Sequence, residues 1–324
     1  MRAKIRILSL NVGMKSDLAG LITLTQVHKL DIILLQEVRI SEEQLKQQIS
    51  NHGFTGKVSV DTEDPMKPGV AIVWRSALPV REIVTLVLCR AQVAFLGSMA
   101  VMNIYAPSGS DRKFVRGSFF ARDIFRAFSM NNSSNWIVGG DFNCVLKPID
   151  VENGTGFNQK NCPQLLDLVN IQELRDVFRH FYPNKKEYTF FRTSCAPSRL
   201  DRFYVSQELL PRVHSVQHVA SLSDHCGVLI EMSFQNLNRC GKIFSRQTYW
   251  KLNVSILQDE DFEENFISLW TALKLKQARF SDIADWWEME AKPAIREFCS
   301  EFSKQRKYRR NDSKAFWFAY LKIV

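Results

Sequence analysis

The chain has 324 residues, of which 45% are apolar and 24% are charged, and its formal net charge is +9. The composition is that of an ordinary globular protein, and the positive charge favours polyanionic partners without identifying them, because many basic proteins are merely soluble. No apolar stretch reaches the roughly 18 residues that a membrane span needs. The seven cysteines are scattered without a C-x-x-C pair, which argues against both a disulfide framework and a zinc site. We expect a soluble, intracellular protein without membrane partners.

Up to about residue 234, short apolar runs and helical patterns alternate, separated by turn signals. We predict strands at KIRILSLN, DIILLQE, GVAIVWR, SMAVMNIYAP, NWIVGGDFN, SRLDRFYVS and CGVLIEMSF. Helices are predicted at Asp17 to Lys29, Ser41 to Ser50, Asp111 to Phe128, and Cys162 to Asn170. Ser41 and Gln44 have the spacing of a capping box at the start of the second helix.

These elements predict a layered α/β domain. The stretch IVTLVLCRAQVAFLGSMAVMNIY holds apolar runs with only short turns between them, which predicts antiparallel hairpins. We therefore expect mixed sheets rather than a doubly wound parallel sheet. The sequence has neither a G-x-G-x-x-G after the first strand nor a P-loop motif, so nucleotide-binding chemistry has no local support.

After about residue 240 the pattern changes to helices rich in aromatic residues. Phe262, Phe266, Leu269 and Leu273 recur at helical spacing, as expected for a packing face. A basic cluster and an apolar end follow, and the cluster consists of Lys304, Arg306, Lys307, Arg309 and Arg310. We divide the chain into a layered domain, 1–234, and a helical extension or linker, 235–324. The second part lacks an obvious stop signal, so we expect it to be truncated before a further domain.

Polar side chains recur where the predicted apolar strands end. The set comprises Asn11, Glu37, Tyr105, Asp141, Asn143, Asp201, Asp224 and His225. Each has an ordinary explanation taken singly: in WIVGGDFNCVL, for example, Asp141 and Asn143 are common turn residues. The two glycines before them would let a DNA backbone or another loop approach closely.

Together these residues contain the groups needed to cleave a phosphodiester with a hydrated Mg²⁺ ion, for which Mn²⁺ is a possible substitute. Mg²⁺ prefers oxygen ligands, so Glu37 is the natural ligand, completed or oriented by other members of the set. The candidate metal residues are Asn11, Glu37, Asp141, Asn143, Asp224 and His225. A carboxylate such as Asp201 would hold the His225 imidazole in one tautomer. No G-x-S-x-G elbow supports a serine hydrolase.

The ordered motifs LNVG, LLQE, NIYAP, GGDFN, SRLDRFYVS and SDHC resemble the endonuclease/exonuclease/phosphatase family across about 225 residues. The resemblance implies a four-layer α/β sandwich of two mixed β-sheets flanked by helices, here with a C-terminal helical extension. It also implies that Tyr105 contacts the reacting phosphate, that Asp141 transfers a proton and that Asn143 orients the phosphate or nucleophile. His225, held by Asp201, would bind the phosphate or act as the base.

Within that family, the stretch RDVFRHFYPNKKEYTFFR…SRLDRFYVS is most similar to the endonuclease domains of LINE-type retrotransposons. Abasic-site enzymes of the family carry a pocket tryptophan where this chain has Ser198, although Phe190 is retained. Thr189, Phe190, Ser198 and Arg199 are the candidate DNA-binding residues.

The resemblance implies a nuclear, Mg²⁺-dependent endonuclease that nicks one strand of double-stranded DNA to leave a 3′-hydroxyl. The basic C-terminal segment is a candidate contact for the element RNA. The alternatives are an abasic-site repair nuclease, an inactive nucleic-acid-binding or interaction protein derived from such an element, and a phosphoester phosphatase.

Overall fold

The computed structural model describes residues 3–306 apart from 15–18, 65–66, 110–111, 129–134, 155, 194, 222, 235–253, 279, 281 and 304. The chain divides into two compact units, Met1–Lys242 and Ile243–Val324, and each is described by itself.

The first unit contains fourteen described strands. They are β1 (Ala3–Asn11), β2 (Ile32–Val38), β3 (Phe54–Ser59), β4 (Gly69–Arg75), β5 (Val80–Val87), β6 (Ala91–Leu96), β7 (Met99–Tyr105), β8 (Asn135–Asp141), β9 (Leu174–Asp176), β10 (Phe190–Arg192), β11 (Cys195–Ser198), β12 (Asp201–Ser206), β13 (Val213–Val219) and β14 (Gly227–Phe234). All seven predicted strands are confirmed.

Helices connect these strands. They are α1 (Ala19–His28), α2 (Glu42–Ile49), α3 (Lys113–Ser118), which continues through a wider turn at Phe119–Ile124 into α4 (Phe125–Ala127), α5 (Phe157–Lys160), α6 (Pro163–Ile171) and α7 (Val177–Phe181). Short 3₁₀ turns lie at Ser50–His52, Pro148–Asp150, Glu152–Gly154 and Leu210–Arg212. The predicted capping box is present, because Ser41 Oγ accepts from Gln44 N at 3.2 Å and Gln44 Oε1 accepts from Ser41 N at 2.9 Å.

Two mixed six-stranded sheets form the core. The first has the order β13-β14-β1-β2-β4-β3 and the second β5-β6-β7-β8-β12-β9. The pairs β1–β2 and β7–β8 are parallel, whereas β5–β6 and β6–β7 form the expected antiparallel meander. The remaining neighbours in both sheets are also antiparallel.

Three apolar clusters stack these layers. Residues from both sheets, such as Ile7 and Val101, share the cluster between the sheets. The outer face of the first sheet packs on α1 and α2 through Leu21 and Leu45, and that of the second packs on α6 through Leu165. The predicted four-layer sandwich is confirmed.

The inner faces of the strands change from apolar to polar toward one edge of the sandwich. Their inward residues run Ile5, Ile7, Ser9, Asn11 on β1; Ile32, Leu34, Gln36 on β2; Val101, Asn103, Tyr105 on β7; and Ile137, Gly139, Asp141 on β8. Because side chains alternate along a strand, each apolar inner stripe leads to a polar group at the strand's carboxyl end.

The two glycines of β8 permit a close approach, as expected, but the approaching groups belong to neighbouring strands and not to a loop. A Cβ on Gly139 would lie 2.4 Å from the Phe203 ring, and a Cβ on Gly140, whose φ is +147°, would lie 1.9 Å from the Ile104 carbonyl oxygen. The neighbouring strands of the protein itself therefore make a close approach that needs glycine at both positions.

The second unit is helical, with α8 (Glu260–Gln277), α9 (Ile283–Trp286), a wider turn at Trp287–Ala291, a helical stretch at 292–303 and a 3₁₀ turn at Val254–Gln258. Phe262 and Phe266 pack at 5.7 Å between ring centroids, so the predicted stripe is a packing face. Within the described part of the chain, no helix is long and apolar enough to cross a membrane.

Of the basic cluster, only Arg306 is described, and it pairs with Asp259 at 3.0 Å. The other four members, Lys304, Lys307, Arg309 and Arg310, and the apolar end after them lie outside the described residues.

Candidate active site

The topology gathers the polar strand ends at one edge of the sandwich. In the second sheet, Tyr105 at the end of β7 is paired with Asp141 at the end of β8, and Asp201 at the start of β12 is also paired with Asp141. In the first sheet, Asn11 at the end of β1 is paired with Gln36, the residue before Glu37. Both parallel pairs thus end at the same place, where the two sheets face each other.

Glu37 is held from both sheets. Its Oε1 accepts a hydrogen bond from Asn11 Nδ2 at 3.1 Å and from the Tyr105 hydroxyl at 2.9 Å. Asn11 also donates to Asp141 Oδ2 at 3.0 Å, while its own oxygen accepts from Gly13 N at 3.0 Å. Asn11 therefore bridges the carboxylates of Glu37 and Asp141 as a donor.

The GGDFN segment forms the turn that its sequence predicts, and the Asn143 side chain makes further hydrogen bonds within the site. Asn143, at φ +49°, donates its backbone N–H to Asp141 Oδ1 at 2.9 Å, which is the expected Asx-type turn. Its amide donates to Ala106 O at 2.9 Å and to Asp141 Oδ2 at 3.2 Å. Both amide protons are used, so the carboxamide oxygen is the atom of Asn143 left to face a ligand.

Asp201 and His225 form the expected pair. His225 Nδ1 lies 2.9 Å from Asp201 Oδ2, and His225 Nε2 lies 3.9 Å from Asp141 Oδ2 on the other side. Ser223 anchors this segment, because its hydroxyl accepts from His225 N at 3.1 Å and donates to Asn11 O at 2.7 Å. The imidazole thus lies between two buried carboxylates, and Ser223 links the backbone of His225 to the end of β1.

Burial and the charges of neighbouring groups shift the pKa values of Asp141, His225 and Tyr105. Burial and the nearby Asp201 raise the pKa of Asp141 to about 7, against the opposite effect of His225. Burial alone would lower the pKa of His225, but Asp201 and Asp141 outweigh it and raise the pKa to about 10. Burial and the Glu37 carboxylate raise the pKa of Tyr105 well above its ordinary value. Tyr105 is therefore a hydrogen-bond donor at neutral pH, and charged His225 is favoured.

A cavity of about 530 Å³ opens over these groups. Its lining includes Glu37, Tyr105, Asn143, Asp224 and His225. Its other lining residues include the basic side chains Arg116, Lys160 and Arg192. The cavity thus combines carboxylate and amide groups with the partly or fully exposed basic side chains of Lys160 and Arg192, a combination that suits a phosphate bound through a cation.

The donor set fits a hard divalent cation. Glu37 and the exposed Asp224 offer carboxylate oxygens to the cavity, and Asn143 offers a carboxamide oxygen. Such oxygen donors suit Mg²⁺ or Mn²⁺. Asp141, Asp201 and His225 also lie within 4.8 Å of one another, but both carboxylates of that trio already face the imidazole.

Among the candidate DNA-binding residues, Phe190 lines the cavity and packs on His225 at 4.8 Å between ring centroids. Thr189, Ser198 and Arg199 are 0%, 0% and 1% exposed, so the expectation that they contact DNA directly has to be corrected. Ser198 Oγ accepts from Lys160 Nζ at 3.0 Å, and Arg199 binds Asp150 and Asp176. Their roles in this structure are internal.

Several supporting residues were not found from the sequence. Ser9, Gln36, Asn103 and Ser223 all bond to the site or to the layer beneath it. The signal was present for Gln36 and Asn103, which interrupt the apolar runs IILLQE and MAVMNIY two positions or fewer before Glu37 and Tyr105. Nothing local distinguished Ser223 from an ordinary turn serine.

The sequence model of the Endonuclease/Exonuclease/phosphatase family matches residues 8–225, which include every residue of this site. The chain belongs to that family. Curated relatives include the transposon TX1 uncharacterized 149 kDa protein of Xenopus laevis, 28% identical over 215 residues, which are 65% of this chain and 16% of that protein. Recombination repair protein 1 of Drosophila melanogaster is 31% identical over 149 residues, which are 40% of this chain and 22% of that protein.

The chain thus spans less than a quarter of the length of either curated relative. Among solved structures, the AP endonuclease LMAP of Leishmania major has a TM-score of 0.60 at 18% identity, covering 72% of this chain and 89% of that one. An AP endonuclease of Archaeoglobus fulgidus has a TM-score of 0.61 at 19% identity, covering 70% of this chain and 98% of that one. These likenesses show that the chain shares the fold of these two structures.

Proposed function

We propose that this protein is a Mg²⁺-dependent endonuclease that nicks one strand of double-stranded DNA and leaves a 3′-hydroxyl and a 5′-phosphate. The contact of Glu37, through Asn11, with the Asp141–His225–Asp201 series, beside a cavity that Glu37 and His225 line, supports this function most strongly. The similarity to a transposon protein favours target nicking for a LINE-type element, where the 3′-hydroxyl would prime reverse transcription in the nucleus.

Each side chain has a role that its contacts support. Glu37, oriented by Asn11 and Tyr105, and Asp224 would hold the divalent cation, which when bound polarises a phosphate oxygen and supports the departing oxygen. Asp141, held by two amides and the Asn143 backbone, would accept a proton from the attacking water.

The His225 imidazole, which lies between Asp141 and Asp201, would stabilise charge on the phosphate. Asp201 binds Nδ1 of His225 and leaves Nε2 on the side of Asp141 and the cavity. The Asn143 carboxamide oxygen would orient the nucleophilic water, and Tyr105, which donates its one hydroxyl proton to Glu37, would lie beside the phosphate and keep Glu37 in place. Lys160 and Arg192 at the cavity would add salt-dependent attraction for the flanking DNA backbone.

Abasic-site cleavage is the second candidate, favoured by Phe190 lining the cavity beside His225. Against it, Ser198 is buried under Lys160 and offers no aromatic surface to a flipped sugar. A copy that binds nucleic acid without cutting is disfavoured by the complete set of catalytic side chains in contact.

A supercoiled-plasmid nicking assay tests the proposal. We expect nicking with Mg²⁺ and none with EDTA, and a rate loss of roughly 100- to 10,000-fold for Asp141→Ala and His225→Ala, since each removes a group used in proton transfer or charge stabilisation. Asp123→Ala and His52→Ala alter exposed residues of the same types and serve as matched controls.

Variants of Asp141 and His225 that nick like the parent would refute the site. A parent that leaves plasmid intact but cleaves a duplex with one abasic site would establish the repair activity instead. A parent that binds DNA but cuts neither substrate would establish the non-enzymatic alternative.

A further inference from the structure

Beneath the site, between the two sheets, lies a layer of buried polar side chains. Ser9, Gln36, Gln92 and Asn103 are each 0% exposed. Burying an amide costs free energy unless it is hydrogen-bonded, and an apolar core of the same shape would avoid that cost. A pair of bonded amides here therefore calls for a reason beyond packing.

Two of these amides connect the sheets. Gln36 Nε2 donates to Asn103 Oδ1 at 2.7 Å, to Ser9 Oγ at 3.2 Å and to Leu34 O at 3.1 Å. Asn103 Nδ2 donates across the interface to Leu35 O and to Ala71 O, both at 2.9 Å. A side chain of β7 thereby holds the backbones of β2 and β4 immediately before Glu37.

At that point the β2–β4 ladder is irregular. Gln36 is paired with Val70 and Val38 with Gly69, so Glu37 has no partner on β4, and its φ is +57°. A residue with a side chain adopts this left-handed conformation only when its surroundings impose it.

The irregularity changes the direction of the Glu37 side chain. Strict alternation would place Glu37 on the outer face with Leu35, under the helices. Instead Val38 occupies that outer cluster, and Glu37 turns inward to Asn11 and Tyr105. A bulge that re-aims one side chain in this way is a known device beside active sites.

We propose that Gln36 and Asn103 are positioning residues that hold the bulge and so aim the Glu37 carboxylate at the bound cation. This inference rests on the proposed metal-dependent function and extends it to residues that touch neither metal nor substrate. The amide pair fixes the conformation of β2 at Leu35 and Gln36, directly before the bulge at Glu37.

Direct Mn²⁺ binding, measured by electron paramagnetic resonance on the full chain, tests this role. Gln36→Met and Asn103→Leu remove the amides at nearly constant volume, and we expect each to weaken Mn²⁺ binding by roughly 10- to 100-fold, as for other residues that support metal ligands. Gln92→Met is the matched control, since Gln92 is equally buried but its amide has no hydrogen-bond partner among the described residues.

The double variant Gln36→Met/Asn103→Leu separates positioning from stability. Removing both partners avoids leaving one amide unpaired, so the melting temperature should recover relative to the single variants. Mn²⁺ affinity should stay low, and a crystal structure should show Glu37 at negative φ. Ser9→Ala, which removes one acceptor of Gln36, offers a milder variant with a smaller affinity loss should the others fail to fold.

A folded double variant with parental Mn²⁺ affinity and Glu37 still at positive φ would overturn the proposal. A parent that binds no Mn²⁺ would instead refute the proposed metal-dependent function. In that case the φ of Glu37 in the double variant would still decide whether the amide pair holds the bulge.

Discussion

At the scale of single residues, Thr189 shows how a buried hydroxyl supports the Asp201–His225 pair. Its Oγ1 accepts the backbone N–H groups of Leu200 and Asp201, both at 3.0 Å, and its carbonyl accepts from Cys226 N at 2.6 Å. Thr189 therefore holds the backbone at Asp201 and directly after His225. We therefore expect Thr189 to align that pair.

Thr189→Val keeps the shape of the side chain and removes the acceptor. Two buried N–H groups lose their partner, so we expect the free energy of unfolding to fall by about 2–4 kcal/mol, with a decrease in nicking rate. Thr189→Ser keeps the hydroxyl and is the control. Denaturant titration and plasmid nicking measure the two effects, and equal behaviour of the Val and Ser variants would contradict this role.

At the scale of elements, a charged cluster fastens the segments behind the cavity. Asp150 Oδ1 accepts from Arg199 Nε at 2.9 Å and from Arg179 Nε at 3.1 Å, and Arg199 also binds Asp176 at 2.7 Å. The cluster joins the 3₁₀ turn at Pro148–Asp150, helix α7 and the connection between β11 and β12. It occupies the position where the sequence predicted a DNA contact at Arg199.

This cluster predicts acid sensitivity. Although burial opposes ionisation, Arg199, Arg202 and the hydrogen bonds of Arg199 and Arg179 lower the pKa of Asp150 from 3.8 to about 2. The unfolded state therefore takes up the proton first, and the stabilisation, present above about pH 4, is lost as the pH falls toward 2. One carboxylate with this shift accounts for about 2 kcal/mol.

Asp150→Asn should destabilise the protein by about 3–5 kcal/mol at neutral pH, because it disrupts the pairing of buried arginines. The variant should also lose part of the slope of stability against pH between about 4 and 2. Unfolding titrations across that range measure both effects, with the exposed Asp123→Asn as control. A variant with the full parental slope would show that other carboxylates cause it.

At the scale of the whole molecule, every residue of the candidate site lies within the unit Met1–Lys242. That unit contains both complete sheets and all three clusters of the sandwich. A chain of residues 1–242 should therefore fold and nick plasmid at the parental rate. Residues 1–219, which lack β14 and His225, should do neither, and a dependence of nicking on residues 243–324 would contradict the prediction.

The sequence predicts this architecture well where the signal is local. Apolar runs that end in Asn11, Glu37, Tyr105 and Asp141 show both the strands and the polar groups at their ends. The sequence does not show what covers a residue, which is why Arg199 was expected to contact DNA. Nor does the sequence show where a bulge interrupts the alternation of side chains along a strand. Glu37 turns inward at such a bulge, next to the Leu35 carbonyl that Asn103 of the other sheet binds.

The position of β1 between β14 and β2 also constrains folding and synthesis. Asn11 and His225 are connected through Ser223 only when the last strand of the sandwich pairs with the first. Closing a loop of that length makes the contact late and slow, because its entropic cost precedes its gain. A chain still being synthesised therefore lacks the complete candidate site, and we expect the proposed cleavage activity only once the whole sandwich has emerged from the ribosome.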